Sequence, residues 1–462
     1  MVSNRLTKRK EPFLAVVVLA VLLSFGASVI AADNTTSDKQ AESCPLCRIK
    51  QDCRKHVPWL DWGADLRMRA EYDEARGLDR KANGHDRFRQ RYRGRIWTEV
   101  TPVDNLEFNA RLVTEPRYYC RPDRDHQAER QEVLFDILNV KVSKAFGLPV
   151  NTVVGRQDIK LGQGWLVREG TPRDGSRTYF FDAARATIGL ESIKTKADLV
   201  FIDDYANSAH YIRPFNDRDV DLAEQDERGA ILYLSNTALA KTRLDGYFIY
   251  KRDYGRALPR GVEGEIYTFG GMAKGDLDEH WKYYAEIASQ FGHKNGHRLC
   301  TLGANTYLRY DFNDAQKNRL QLAYEYNSGD DERDGYFDKL WGRYRQWSKV
   351  YTGLVDAIDG PSYASTNLHR ISATWRNKPI KKLELLGGYH LLFAAKNLAN
   401  PPRGVSRDGT FRGQLLSGSA KYTFNEHVAM RLLAEVFLPG DYYTDDRNDP
   451  AVFARYEITF SW

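Results

Sequence analysis

The chain has 462 residues, 42% hydrophobic and 28% charged, with a mean hydropathy of −0.58 and a formal net charge of +6. Its 27 Tyr, 21 Phe and 9 Trp are too many aromatics for a disordered chain. Beyond Ala32 no uncharged apolar run approaches the roughly 20 residues of a spanning helix, so a helical membrane bundle is excluded as well.

The N-terminus reads as a targeting segment. Arg5, Lys8, Arg9 and Lys10 form a basic region before an apolar core from Phe13 to about Ile30. Val29, Ile30, Ala31 and Ala32 then supply the small residues of a cleavage site, the order of a secretory signal peptide over 1–32. An uncleaved membrane anchor is the alternative. Removing the four basic residues and Glu11 lowers the net charge from +6 to +3. A global basic excess therefore does not argue for a nucleic-acid partner, and any basic function must come from local arrangement.

A polar leader, 33–59, follows. Cys44, Cys47, Cys53 and His56 could together ligate zinc, although a local disulfide or an unstructured leader fits the same residues. Cys120 and Cys300 make the cysteine count odd in what export implies is an oxidising compartment.

From residue 60 to 462 the sequence alternates with a two-residue period, as strands between lipid and water must. Leu66, Met68, Ala70 and Tyr72 alternate with Asp65, Arg67, Arg69 and Glu71. Phe88, Tyr92, Ile96 and Val100 share one face of the next segment, and Arg89, Arg91, Arg93 and Arg95 the other. A turn over 101–105 leads to a return strand from Leu106 to Leu112. Further strand-like runs are Tyr283–Phe291, Thr306–Phe312, Gln321–Tyr326, Ile371–Trp375, Leu383–Leu392, Gln414–Phe424 and Val428–Phe437. The last run places Tyr456, Ile458, Phe460 and terminal Trp462 on one face. Such an aromatic edge invites aggregation on a soluble sandwich but suits the closing strand of a membrane barrel.

These features predict an all-β protein, one large antiparallel transmembrane β-barrel. Roughly 400 residues at about 22–28 per strand and connection give about 14–18 strands. A barrel near the upper limit encloses an aqueous channel. The stretches 207–226, 326–344, 356–365 and 395–410 are then outside loops or inward plugs, and 146–149 and 423–427 short turns at the periplasmic end.

The inward face indicates what passes. The arginines at 89, 91, 93 and 95 stand about 6.6 Å apart along the strand. On a soluble protein they would be a solvated face or a nucleic-acid patch. In a channel they form a ladder of guanidinium forks suited to successive carboxylates, with Glu99, Glu107, Glu132 and Asp136 moderating the attraction. A second basic region, 155–185, carries Arg156, Arg168, Arg173, Arg177 and Arg185 with several glycines, and reads as strand, irregular loop and strand.

Gly155-Arg156-Gln157-Asp158-Ile159-Lys160-Leu161-Gly162, the run Arg177–Arg185 with Asp182, and Glu435-Val436-Phe437-Leu438-Pro439-Gly440 resemble the alginate-export family of outer-membrane barrels. The Arg89-Gln90-Arg91-Tyr92-Arg93 strand is similar too, so the resemblance spans about 60 to 462. It implies a barrel of about 18 strands whose arginine-lined constriction passes a polyuronate. Arg156 and the basic residues after it carry over as lining, with Glu132 and Asp182 as moderating acids. Gln131 and Asp158 stand where the alginate exporter has basic residues.

The expected function is an outer-membrane channel for an anionic, alginate-like polysaccharide or related acidic solute; a general anion or sugar porin is the rival. Expected partners are outer-membrane lipid, that solute and periplasmic export proteins, for a monomeric barrel with no cofactor. An enzyme is disfavoured. Ser208 and His210 share a strand face without a third orienting group, and none of the motifs H-E-x-x-H, G-x-S-x-G or the P-loop occurs. A purely adhesive barrel would not need inward arginines.

Overall fold

The structure, a computed structural model, describes residues 45–122, 128–169, 180–223, 225–256, 261–342, 347–351, 358 and 366–462, with side chains from 49 onward apart from those of 146, 169, 255, 256 and 333. The signal segment, Cys44, Arg173 and Arg177 lie outside these residues, as does the Cys47 side chain.

Eighteen antiparallel strands close into a barrel. In chain order they are β1 (Leu60–Glu74), β2 (Arg87–Val103), β3 (Leu106–Thr114), β4 (Val133–Val142), β5 (Val150–Gln157) and β6 (Phe181–Leu190). Next come β7 (Thr195–Asp204), β8 (Gln225–Asn236), β9 (Thr242–Arg256), β10 (Gly264–Asp276), β11 (Trp281–Lys294) and β12 (His297–Asp311). The circuit ends with β13 (Arg319–Asn327), β14 (Leu368–Ile380), β15 (Leu383–Ala394), β16 (Phe411–Thr423), β17 (Val428–Pro439) and β18 (Ala451–Ser461). A short strand, Arg117–Arg121, prolongs β3 along β2.

Closure is made where the sequence placed it. β18 pairs with β1 from Asp65↔Ser461 to Glu74↔Val452. The Trp462 amide donates to the Ala64 carbonyl at 3.0 Å. Gly63 lies directly opposite Trp97, and a Cβ there would overlap both the indole ring and the Trp462 carbonyl. The seam is thus tight because one residue in it has no side chain.

Parity separates lipid from lumen. Ile96, Phe108, Val154, Phe201, Phe269, Leu322 and Ile371 are exposed large apolar residues on the outward parity. Inward neighbours such as Arg91, Arg93, Asp198, Glu286 and Glu325 are buried in the barrel interior. That placement reconciles a polar average with a membrane protein, since the two faces never share a solvent. One barrel end carries short turns, among them 104–105, 191–194 and 381–382, and the other carries the long connections. In outer-membrane barrels the short turns face the periplasm.

Two long connections turn inward. Ile159, Leu161, Trp165, Leu166 and Val167 pack with Phe337, Leu340 and Trp341 against the inner wall at Phe181, Ile202, Ile231 and Ile249. The Trp341 ring lies over Gly229 and the Phe337 ring over Gly303, where any Cβ would clash. Burying such aromatics contributes roughly 1.5–3 kcal/mol each, enough to draw a charged loop into the lumen. A second cluster sets Val350 and Tyr351 against Leu392, Leu415, Phe437 and Tyr443.

Pro45–His56 form a helix, α1, with Pro at its first residue and Arg54, Lys55 and His56 in its last turn, where they suit the C-terminal partial charge. Cys53 is a free thiol, one helical turn from His56, whose Nδ1 lies 2.8 Å from the Asp52 carbonyl. Arg54 binds Asp61 at 2.6 Å, tying α1 to the start of β1.

Candidate functional site

The four arginines of β2 do share the inward parity, but each meets a carboxylate. Arg89 donates to Glu71 at 2.7 Å, and Arg91 bridges Glu71, at 3.0 Å, and Glu115. Arg93 and Arg95 both bind Asp65, the former at 3.2 Å. Glu71 also receives Arg455 at 2.7 Å, and Arg67 binds Glu115 at 3.0 Å. The register explains this lattice, because Asp65 lies opposite Arg95 and Glu71 opposite Arg89.

The acids expected to moderate the ladder are elsewhere. Glu99 is exposed, Glu107 pairs with Lys141 at 3.1 Å, and Asp136 pairs with Arg111 at 2.7 Å. Neutralisation comes instead from β1 and from the connection after β3, which local sequence could not show.

The second basic region is similarly paired. Arg156 makes a two-pronged contact with Asp182 at 2.9 and 3.0 Å and donates to the Phe135 carbonyl, with the Phe180 ring 3.7 Å from its guanidinium carbon. Arg185 binds Asp198 at 2.7 Å. The stem of Arg168 lies against Gly164 on a small hairpin, Ile159–Lys160 with Arg168–Glu169. Glu132 is buried just before β4. The Ser208 hydroxyl accepts from the Val220 amide at 3.1 Å, while the His210 ring stacks on Tyr205. Ser208 and His210 thus have separate structural partners.

What the sequence missed is a cavity of about 470 Å³ on the other side of the interior, between the inward connections and strands β11–β17. Its cations are Arg319, Lys339, Lys349, Arg370, Arg376 and Arg431, and its acids Glu325 and Glu435. Trp165, Trp347, Tyr284 and Tyr307 offer ring surface. The wall between them is small and polar, with Ser372, Thr374, Ser417, Ser419 and Gly387, which leaves the space open. Alternating charge in β13, β14 and β17 hinted at this arc. What no local pattern predicted was Lys339 and Trp347 arriving from the connection after β13.

Buried partners hold the cavity in shape. Glu325 receives Lys339 at 2.8 Å, Arg370 at 3.1 Å and the Trp165 indole N–H at 3.1 Å. The Glu435 carboxylate accepts from the Ser348 hydroxyl and from the Lys349 and Val350 amides. The Arg370 guanidinium lies 5.0 Å from the Trp347 ring centre. Burial pushes the Lys339 ammonium below its ordinary pKa, against the opposing pull of Glu325. Burial would raise the Asp338 carboxyl, but Lys294, bonded at 2.7 Å, and Lys251 outweigh it and hold it below the usual carboxylate range. No grouping of three metal-ligating side chains occurs among the described residues.

A closed barrel with an apolar outer belt, a charged interior and inward connections defines an outer-membrane channel of the porin type. The chain belongs to the alginate export family, whose model matches residues 58–454. Solved structures agree on the fold. Pseudomonas aeruginosa OccK9 (OpdG) aligns with a TM-score of 0.57 at 11% identity, covering 88% of this chain and 98% of that one. Acinetobacter baumannii OccAB2 gives 0.56 at 9% identity, covering 87% and 98%. Pseudomonas aeruginosa OprD gives 0.53 at 10%, covering 87% and 95%. Comparison with curated protein sequences finds no match. Family and fold are those of channels rather than enzymes.

Proposed function

We propose that this protein passes an anionic polysaccharide of the alginate type, or a related acidic solute, across the outer membrane without catalysis. The observation that carries this is the cavity beside β13–β17, lined by six cations, of which Arg319, Arg376, Lys339 and Arg370 are held by Asp311, Glu384 and Glu325. Guanidinium groups hold carboxylates by paired hydrogen bonds, and indole and phenol rings accept the faces of sugars. A polymer needs sites that bind and then release it, and the acids Asp311, Glu325 and Glu384, already bound to these cations, weaken the contacts. In this proposal Arg89, Arg91, Arg93 and Arg95 supply a positive wall on the other side of the lumen. Arg156, Arg168 and Arg185 line its approach, with Glu132 and Asp182 as tempering acids. Residues 1–32 direct export, 33–59 form a cysteine-containing polar leader, and the barrel acts as a monomer that meets periplasmic export proteins.

The hydroxyl-rich wall of Ser372, Thr374, Ser417 and Ser419 favours a second reading, a general anion or sugar porin. Planar-bilayer recording separates the two. The polyanion reading predicts an anion-selective reversal potential and current block by oligogalacturonate but not by neutral maltooligosaccharide. Equal block by both would support the general porin, and cation selectivity would contradict both.

A further inference from the structure

Lys421 on β16 and Arg431 on β17 are directly opposed in register, both on the inward parity toward the short-turn end. Neither has a hydrogen bond or ion pair among the described residues, in contrast to the β2 arginines, each of which binds a carboxylate. The carboxylate facing Arg431 across β18 is Glu457, and it is taken by Arg69. The carboxylate facing Lys421 across β15 is Glu384, and it is shared by Arg376 and Lys378. Two like charges placed opposite each other repel, and the two flanking carboxylates, each already bound to other cations, offset that cost only in part. Arg431 also lines the cavity described above, which continues from it past Arg376 to Arg370.

We infer that Lys421 and Arg431 form the loading site of the channel, a carboxylate-binding pair at the short-turn mouth that draws the anionic chain in from the periplasmic side. This rests on the proposed polyanion reading and adds a capture site to it. Unneutralised charge at a mouth raises the local concentration of an oppositely charged ligand and its association rate. Where cations are already paired to wall carboxylates, that gain is smaller. The mouth therefore captures, and the paired cations deeper in the lumen pass the chain on.

The test is one-sided addition of oligogalacturonate to single full-length channels in a planar bilayer. A biotinylated peptide inserted between the exposed residues Arg407 and Asp408 marks the long-loop side through streptavidin. The association rate of block should be higher from the short-turn side. Lys421→Gln with Arg431→Gln should lower that rate roughly tenfold and lower the rate from the other side far less, so that the asymmetry disappears. The charge-preserving variant Lys421→Arg with Arg431→Lys should retain the asymmetry. Heat-modifiable gel mobility confirms that each variant is folded. Equal block from both sides, or an asymmetry that survives the double Gln variant, would overturn the inference while leaving the polyanion reading intact. Absence of block from either side would overturn both.

Discussion

Two arcs of the same barrel pair cations with carboxylates but leave different amounts of space beside them. Along β1–β3, arginines and carboxylates interlock so fully that Glu71 is wholly buried among Arg89, Arg91 and Arg455. Along β13–β17 acids also hold cations, Asp311 holding Arg319, Glu325 holding Lys339 and Arg370, and Glu384 holding Arg376, but the wall between them is small and a cavity remains. A basic residue in a channel wall can serve the wall or the solute. Its partners decide which, and these come from neighbouring strands. Arg455 and Glu71, for example, are 384 positions apart.

The largest expected effect falls on the interlocked arc. Glu71→Gln leaves three guanidinium groups without their shared charge, and breaking such a buried network costs about 3–5 kcal/mol. The urea midpoint of the heat-modifiable folded band should drop sharply. An unchanged midpoint would mean the lattice is not structural.

Next in size is the boundary between the arcs. Gly303→Leu denies Phe337 its seat, and overpacking of this kind costs about 1–3 kcal/mol. The inward connection should swing away from the wall, seen as a larger single-channel conductance. A conductance equal to wild type would show that the connection does not narrow the path.

Acid provides a milder probe of the same connection. Asp338 has a depressed folded pKa, so its contact with Lys294 adds stability above the unfolded value of about 3.9 and loses it as pH falls below that. Conductance should stay flat from neutral pH to about 4 and rise only below it. A rise already near pH 6 would place control elsewhere.

Much of the fold was legible in the sequence, because lipid and water impose opposite parities on each strand. The β2 face of Arg89 to Arg95 and the closing strand ending at Trp462 were both readable that way. Pairing was not. Which acid meets Arg93 depends on the register of β1 against β2, and Asp65 carried no local sign of that role. The inward turn of 328–342 was only half visible, since aromatic Tyr336, Phe337 and Trp341 sat within a stretch that looked polar. The open arc was least legible of all, because Ser372, Ser417 and Gly387 mark it by lacking bulk.

The most direct test compares reversal potentials across a salt gradient for two double variants. Lys421→Gln with Arg431→Gln alters the open arc, and Arg91→Gln with Arg93→Gln alters the interlocked one. If solute runs along β13–β17, the first pair should move the potential strongly toward cation selectivity and the second, where folded, only slightly. The reverse order would contradict the account and return the conducting path to the β2 ladder.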